Sequence, residues 1–167
     1  MFANVHSVFV LKTIMLKITI VAVLFAVFAI ASTDAQKYTH AQALAKIKAA
    51  GVTIASSGGC SNRQSSSCTS LEQVRKKTID SGVIILKQAS KCAITITGGT
   101  EVGHASSSTY SHYNGYKIDY RLNTCLNNYI TKHYTYLGKR SDGAKQYRSA
   151  AGNIYALEGN HWDVTYY

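Results

Sequence analysis

The spacing of hydrophobic and polar positions beyond residue 36 predicts three helical segments. Apolar residues recur on one face of Tyr38–Ala50, where Thr39 can cap the first turn and Gly51 follows the last. Apolar residues have a similar spacing in Thr69–Asp80 and in Leu122–Leu137. We therefore expect a helix in each of these segments.

Shorter segments have a different pattern, in which β-branched or aromatic residues dominate. Cys92–Thr97 alternates between apolar and polar residues and is followed by two glycines, which predicts a strand. The period of Val83–Ala89 does not distinguish a helical segment from a buried strand. Helices and strands in this order predict an α+β fold. Further strands are predicted over Tyr116–Tyr120, Gln146–Ser149, Asn153–Leu157 and Trp162–Tyr166.

The first 35 residues have the pattern of a secretory signal. Two lysines precede the uncharged run Ile18–Ile30, and small residues follow it. The run has 13 residues, fewer than the ~20 that a membrane-spanning helix needs, although the residues before it could extend it into a signal anchor. We expect cleavage after Ala31 or Ala35, no stable membrane insertion, and a secreted protein in which residues 36–167 form a single domain.

Length, composition and charge limit the classes of protein to which the chain can belong. It has 167 residues, of which 46% are hydrophobic, and this indicates one globular domain rather than a disordered chain. The net charge is +10, and removal of residues 1–35 would leave +9. Such a charge favours anionic polymers as partners. Because the sequence has no RNA-binding signature or helix-turn-helix pattern, we expect no nucleic-acid partner.

The chain contains four cysteines, and an even number in a secreted protein indicates disulfide bonds. Cys60 and Cys68 flank a serine-rich loop, whereas Cys92 and Cys125 belong to more distant elements. Of the three possible pairings we favour Cys60–Cys68 together with Cys92–Cys125. No pair has CxxC spacing, which argues against a redox site or a zinc ribbon.

Two short segments contain the residue types that bind metal ions and activate water. The first includes His112, Gly115 and Asp119, and the second includes Glu158 and His161. Two imidazoles and one carboxylate are ligands of a catalytic zinc ion that keeps one position open. Gly115 would let the chain turn so that Asp119 returns to the same ion. Glu158 could then accept a proton from the metal-bound water.

The pattern HxxGxxxD followed by ExxH resembles the metal site of the M15-type D-alanyl-D-alanine peptidases. That family includes VanX-type dipeptidases and phage L-alanyl-D-glutamate endolysins, and it shares its fold with the Hedgehog signalling domain. The resemblance covers about residues 70–165, and its specific part is the two motifs. It implies a small antiparallel sheet packed against helices and one zinc ion per chain. It also implies His112, Asp119 and His161 as zinc ligands and Glu158 as general base.

The chain departs from this family in residues that concern the substrate. Family members often have a Ser-Gly-Tyr-Arg segment whose arginine binds or polarises the substrate, whereas this chain has Thr97–Glu101. We expect Arg63 or Arg121 to supply such a group, unless the chain has none. A second ExxH ends at His104. His104 could line the cleft and contact substrate or, without precedent in the family, replace His161 as a ligand.

The resemblance implies a secreted zinc metallopeptidase that hydrolyses D-amino-acid-containing peptide bonds of bacterial peptidoglycan. It would act as a DD-carboxypeptidase or an endolysin-like endopeptidase, and its positive charge suits the anionic polymers of cell walls. The alternative is an inactive Hedgehog-like zinc-binding module that binds cell-wall or other partners, although the retained Glu158 favours an enzyme. A third possibility is a disulfide-stabilised adhesion or antimicrobial protein without zinc. We expect a monomer.

Overall fold

The computed structural model describes residues 36–167, and the predicted secretory signal lies outside them. Within this part of the chain, Lys37–Tyr167 form one compact unit. Its helices are all too short or too polar to cross a membrane.

Three α-helices confirm the helical patterns in part. Thr39 and Gln42 form a reciprocal capping box at the start of the first helix, and the Asn123 side chain caps the third. Val83–Ala89, for which the sequence allowed either a helix or a buried strand, is helical and continues a preceding π-helical segment. The helices are α1 (His40–Ala49), α2 (Ile84–Ser90, after the π-helical segment Thr78–Val83) and α3 (Thr124–His133).

In the described residues, nine strands form a two-stranded and a seven-stranded sheet. The small sheet pairs β1 (Lys37–Tyr38) with β3 (Val74–Arg75). The large sheet has the order β2-β4-β5-β9-β8-β7-β6, in which only β2 and β4 are parallel. Its strands are β2 (Thr53–Ile54), β4 (Thr95–Gly98), β5 (Lys117–Arg121), β6 (Thr135–Lys139), β7 (Lys145–Arg148), β8 (Ile154–Glu158) and β9 (His161–Thr165).

The mixture of helices and strands confirms the α+β prediction, but the expected sheet is wrong in size. A small antiparallel sheet was expected, whereas the main sheet has seven strands and includes a parallel pair. Two contributions enlarge it. The β6–β7 hairpin adds two strands at one edge, and the two-residue strand β2 adds one at the other.

Two predicted helices have wrong boundaries, because long-range pairing overrides their local pattern. Thr69–Asp80 is not helical at its start. Gln73 has a φ of +63°, and Val74 pairs with β1. The helix predicted to end at Leu137 already ends at His133, because the following residues form β6 and pair with β7.

The core lies between the helices and one face of the large sheet. Alternate residues of each strand point to that face, including Ile118 and Tyr120 of β5 and Trp162 and Val164 of β9, all fully buried. Their helical partners are Ala43 and Ile47 of α1, Leu86 of α2, and Leu126 and Ile130 of α3. The remaining face of the central strands is therefore free to carry polar side chains.

Both predicted disulfide bonds are present. Cys60–Cys68 closes a short surface loop, and Cys92–Cys125 joins the segment before β4 to the first turn of α3. The four cysteines leave no free thiol. Two disulfide bonds are consistent with an extracellular protein.

Candidate metal centre

The sheet face turned away from the core carries charged side chains on its central strands. On β5 this face holds Lys117, Asp119 and Arg121, and on β9 it holds His161 and Asp163. The register places Asp119 directly opposite Asp163. Like charges at opposed positions repel, so this pair requires cations nearby.

A loop and a hairpin turn border a cleft of about 630 Å³ on this face. The loop is segment 99–116, the turn joins β6 to β7, and residues of β5, β8 and β9 form the floor. The cleft brings together the four residues that the sequence analysis assigned to a metal site. Its titratable lining residues are His104, His112, Lys117, Asp119, Arg140, Asp142, Glu158, His161 and Asp163.

The HxxG spacing produces a tight turn between His112 and β5. Gly115 has a φ of +81°, and its N–H donates to the His112 carbonyl at 2.8 Å. A Cβ at this position would lie 2.7 Å from the Gln73 carbonyl oxygen, so glycine is required. The turn leads into β5, where Asp119 Oδ1 lies 3.3 Å from His112 Nε2.

The buried ring of His112 is oriented by one hydrogen bond. Its Nδ1 lies 2.8 Å from the Gly99 carbonyl oxygen, which can only accept, so Nδ1 carries a proton. Its Nε2 faces the carboxylates of Asp119 and Asp163. Burial lowers the pKa of His112, but these two carboxylates raise it by more, to about 9. In the chain alone, Nε2 is thus protonated at neutral pH, in the place that a metal ion would take.

Asp119 presents a buried carboxylate oxygen that lacks a hydrogen-bond partner among the described residues. This atom, Oδ1, lies 3.3 Å from Nε2 of His112 and 3.8 Å from Nε2 of His161. In the metal-free chain the protonated Nε2 of His112 compensates part of the charge of this buried oxygen, and a bound cation would take the place of that proton. The donor atoms of His112 and Asp119 therefore fit a metal ion, whereas His161, predicted as the third ligand, is not part of the donor group whose atoms lie within 4.8 Å of one another.

The ExxH motif is a β-hairpin in this structure. Glu158 and His161 are paired residues of β8 and β9, so their side chains lie on the same sheet face. The two-residue turn between them has Gly159 at a φ of +44°. His161 Nδ1 lies 2.9 Å from the side-chain oxygen of Asn160, and its Nε2 lies 3.6 Å from Glu158 Oε2.

Arg140, in the turn between β6 and β7, is the arginine of the cleft. Its guanidinium donates to Glu158 and to Asp142, and it lies 3.6 Å from Asp163. Asp163 also accepts from Lys117 at 2.5 Å. Burial raises the pKa of Asp163, but His112 and Lys117 lower it by more. Asp163 thus stays ionised as the negative partner of both cations.

The two arginines considered in the sequence analysis do not line the cleft. Arg63 donates to the carbonyl oxygens of Thr100 and Tyr113, and its guanidinium lies 3.8 Å from the centre of the Tyr113 ring. It therefore holds the loop in place. Arg121 is exposed and lies opposite His161 in the register, beyond the lining residues. Its role in substrate binding remains a prediction.

His104 lies in the cleft, as one of the alternatives anticipated. Its ring stacks on that of His112, with centroids 3.9 Å apart. Donor atoms of His104, His112 and Asp119 all lie within 4.8 Å of one another, and this group could hold a metal ion.

Arg140 was not predicted from the sequence, and neither was the contribution of segment Thr97–His104 to the position of Asp119. Gly98 lies opposite Asp119, and a Cβ there would be 2.3 Å from Asp119 Oδ2. A signal for this segment was present in the sequence, since two adjacent glycines follow a strand and precede an acidic residue. No local pattern marks Arg140, because its place in the cleft depends on the β6–β7 hairpin.

Comparisons with known proteins do not add to this description. No family model, curated protein or solved structure matches the chain.

Proposed function

We propose that this chain is a secreted zinc metallopeptidase that hydrolyses D-amino-acid-containing peptide bonds of bacterial peptidoglycan. The observation that carries the proposal is the convergence of His112, Asp119, His161 and Glu158 in one cleft. These residues lie in two distant motifs, yet His112 and His161 each direct Nε2 towards the same oxygen of Asp119. The two motifs, which are far apart in the chain, thus converge on one carboxylate.

The donor set supports zinc as the ion. Imidazole nitrogens and a carboxylate oxygen are borderline ligands, which suit zinc better than magnesium or calcium. His112 and His161 each place the other ring nitrogen against an acceptor, Gly99 O and the Asn160 side chain, as metal-binding histidines commonly do. A bound zinc ion would supply a water molecule with a pKa near ~7 and would polarise the scissile carbonyl.

Glu158 is suited to move the protons of the reaction. One of its oxygens is held by Arg140, whereas Oε2 lies 3.6 Å from His161 Nε2 and so borders the metal position. In this proposal Oε2 takes a proton from the attacking water and later delivers it to the leaving amine. No other glutamate lies on this part of the described sheet face.

Arg140 supports the proposal because it could bind the substrate, the role that was expected of Arg63 or Arg121. It is partly exposed and lies in a turn beside the proposed base. Peptidoglycan stem peptides carry carboxylates, which an arginine fork binds in a bidentate manner. The net charge of +9 beyond residue 35 would further attract the anionic polymers of the wall.

A second candidate is the Hedgehog-like module that binds zinc and a partner without turnover. The ion pair between Arg140 and Glu158 Oε1 favours it, because an arginine beside a carboxylate makes that carboxylate a weaker base. The two candidates share the metal centre and differ in whether substrate displaces Arg140.

The deciding experiment compares the zinc-loaded chain 36–167 with its Glu158→Gln variant on purified peptidoglycan. We expect the wild type to release defined stem-peptide fragments, identified by mass spectrometry, and the variant to bind zinc but release at least ~100-fold less. Glu72→Gln, a glutamate outside the cleft, is the matched control and should retain activity. Equal zinc binding without cleavage by the wild type would favour the second candidate.

A further inference from the structure

Three tyrosines form a contiguous patch near one end of the cleft. The ring centroids of Tyr110 and Tyr116 lie 5.0 Å apart, and those of Tyr110 and Tyr167 lie 4.8 Å apart, both in edge-to-face contact. Tyr110 and Tyr167 each remain 44% exposed, although their rings pack against each other. We call these three residues the tyrosine patch. The proposed mechanism uses none of them.

The tyrosine patch extends the sheet face that carries the metal centre. Side chains alternate along a strand, so Thr165 and Tyr167 follow Asp163 on one face. Tyr166 is 2% exposed and points into the core, and its N–H donates to the Tyr116 carbonyl at 2.8 Å, so the pairing with the neighbouring strand reaches this point. Asp163 lines the cleft, and Tyr167 follows it by four residues, or about 13 Å along the strand.

Neighbouring groups hold the patch in place. The Arg75 guanidinium lies 4.3 Å from the centre of the Tyr116 ring. The Tyr110 N–H donates to Ser108 Oγ at 3.1 Å, in the same loop that borders the cleft. Aromatic side chains that are already packed together lose little conformational entropy when a ligand binds. The patch is therefore suited to bind a ligand without rearrangement.

The chemistry of the patch fits a sugar ring. A pyranose has C–H groups on its faces and hydroxyl groups around its rim. A tyrosine offers the matching surface, an apolar ring that ends in a hydroxyl group. The three side chains of the patch carry no charge at neutral pH, so they suit a neutral sugar better than the carboxylates of a peptide.

The position of the patch fits peptidoglycan, in which each stem peptide is attached to a sugar of the glycan strand. An extended peptide spans about 3.3–3.6 Å per residue, so the distance of about 13 Å corresponds to roughly four residues. A stem peptide that lies along the sheet face would thus place its sugar on the patch and a bond about four residues away at the metal centre.

We propose that the tyrosine patch binds a sugar ring of the glycan strand and that the substrate is therefore a glycan-linked stem peptide rather than a free peptide. This inference rests on the proposed function and names the part of the substrate that lies outside the cleft. It commits the patch to a sugar, although membranes and proteins also contact exposed tyrosines. Only a sugar joined to the peptide explains why the patch continues the floor of the cleft.

The test measures binding to glycan strands from which an amidase has removed the stem peptides. Such glycan has no peptide bond to cut, so the result does not depend on turnover. Affinity is measured by co-sedimentation for wild type, Tyr110→Ala, Tyr167→Ala and Tyr110→Phe. Tyr136→Ala, which removes a 52% exposed tyrosine of β6 outside the cleft, is the matched control. Circular dichroism checks the fold of each chain.

We expect each alanine variant of the patch to bind glycan at least ~5-fold more weakly than wild type, because a stacked ring is lost. Tyr110→Phe keeps the ring and should bind within ~2-fold of wild type, as should Tyr136→Ala. No binding by wild type, or undiminished binding by a folded double variant Tyr110→Ala/Tyr167→Ala, would overturn the inference.

Two further outcomes separate this inference from others. Vesicles of anionic phospholipid are tested in the same way, and a loss of vesicle binding without a loss of glycan binding in the alanine variants would assign the patch to a membrane and overturn the inference. Glycan binding at the patch without release of stem fragments from intact peptidoglycan would support the patch and contradict the proposed peptidase activity.

Discussion

At the scale of single residues, the position of Asp119 depends on the absence of a side chain at Gly98. Gly98 faces Asp119 across the β4–β5 pair, and an added Cβ would lie 2.3 Å from Oδ2. The carboxylate therefore occupies a space that only glycine leaves open. A substitution of Gly98 should therefore weaken metal binding by displacing the Asp119 carboxylate.

Gly98→Ala should lower zinc affinity by at least ~10-fold, because the added methyl group displaces Asp119. The crowding should also reduce the free energy of unfolding by about 1–3 kcal/mol. Gly82→Ala is the matched control. Its Cβ would meet the Tyr166 ring at 2.5 Å in the core, away from the cleft. Zinc titration and urea unfolding of both variants separate the two effects, and equal zinc affinity in both would refute this role of Gly98.

The raised pKa of His112 predicts how the metal-free chain responds to pH. The pKa of this histidine rises from about 6.5 in the unfolded chain to about 9 in the folded chain. Its contribution to the free energy of unfolding is therefore fully present below pH 6.5. This contribution is lost as the pH rises through 9. Urea unfolding in the presence of a chelator should therefore show stability falling by about 2–3 kcal/mol between pH 6.5 and 9. His112→Gln should show a weaker dependence, and an identical slope would contradict the assignment.

At the scale of elements, two hairpins position several of the charged residues that line the cleft. The β8–β9 hairpin places Glu158 and His161 side by side, and the β6–β7 hairpin carries Arg140 over them. The ExxH motif thus owes its spacing to a two-residue turn between paired strands. Charged residues alternate with core residues in these strands because successive side chains point to opposite faces of the sheet.

Arg140→Ala should raise KM for stem peptides by roughly 10-fold or more, because a bidentate carboxylate contact is lost. The free energy of unfolding should change by less than about 1 kcal/mol, since the ion pairs of Arg140 are partly exposed. Arg148→Ala, an exposed arginine of β7 outside the cleft, serves as the control. Steady-state kinetics should distinguish them. An unchanged KM in Arg140→Ala would contradict substrate binding by Arg140 and leave Arg121 as the remaining candidate.

The two disulfide bonds should differ in their contribution to stability. Cys92–Cys125 closes a separation of 33 residues and Cys60–Cys68 one of 8. Loop-closure entropy predicts about 3.7 kcal/mol for the first and about 2.5 kcal/mol for the second. Paired Cys→Ala substitutions with urea unfolding measure both, and a larger loss for the short loop would contradict this order.

The elements also show where the sequence predicts the fold and where it does not. Tyr38–Ala50 has a cap, a periodic face and a glycine stop, and its helix forms nearly as predicted. Thr69–Asp80 has the same periodicity, but its backbone forms hydrogen bonds with residues distant in the sequence. Ser70 N–H donates to Glu101, and Val74 pairs with β1. Local patterns cannot show such partners. The size of the large sheet was missed for the same reason.

At the scale of the whole molecule, the candidate site combines what motifs predict with what only tertiary structure supplies. Spacing and residue type pointed to His112, Asp119, Glu158 and His161, and the fold brings these residues to one cleft. The neighbours of these residues come from a covering loop and a hairpin turn. Arg140 is 18 residues before Glu158 in the chain, and no periodicity connects them.

The whole molecule also carries excess positive charge around a cleft rich in carboxylates. Beyond residue 35 the net charge is +9, yet Asp119, Glu158 and Asp163 gather on one sheet face. Under the proposed function, the positive charge would attract the anionic cell wall, and the carboxylates of the cleft would retain the catalytic cation. Activity should therefore depend on the metal itself and return with it.

Removal and restoration of the metal test this claim most directly. The chain 36–167 is treated with a chelator, dialysed, and incubated with purified peptidoglycan before and after one equivalent of Zn²⁺, and released stem fragments are quantified by mass spectrometry. We predict no release from the stripped protein and recovery with zinc in wild type but not in His112→Ala. Release that continues undiminished without metal, or none from a chain that holds one zinc ion, would contradict the account.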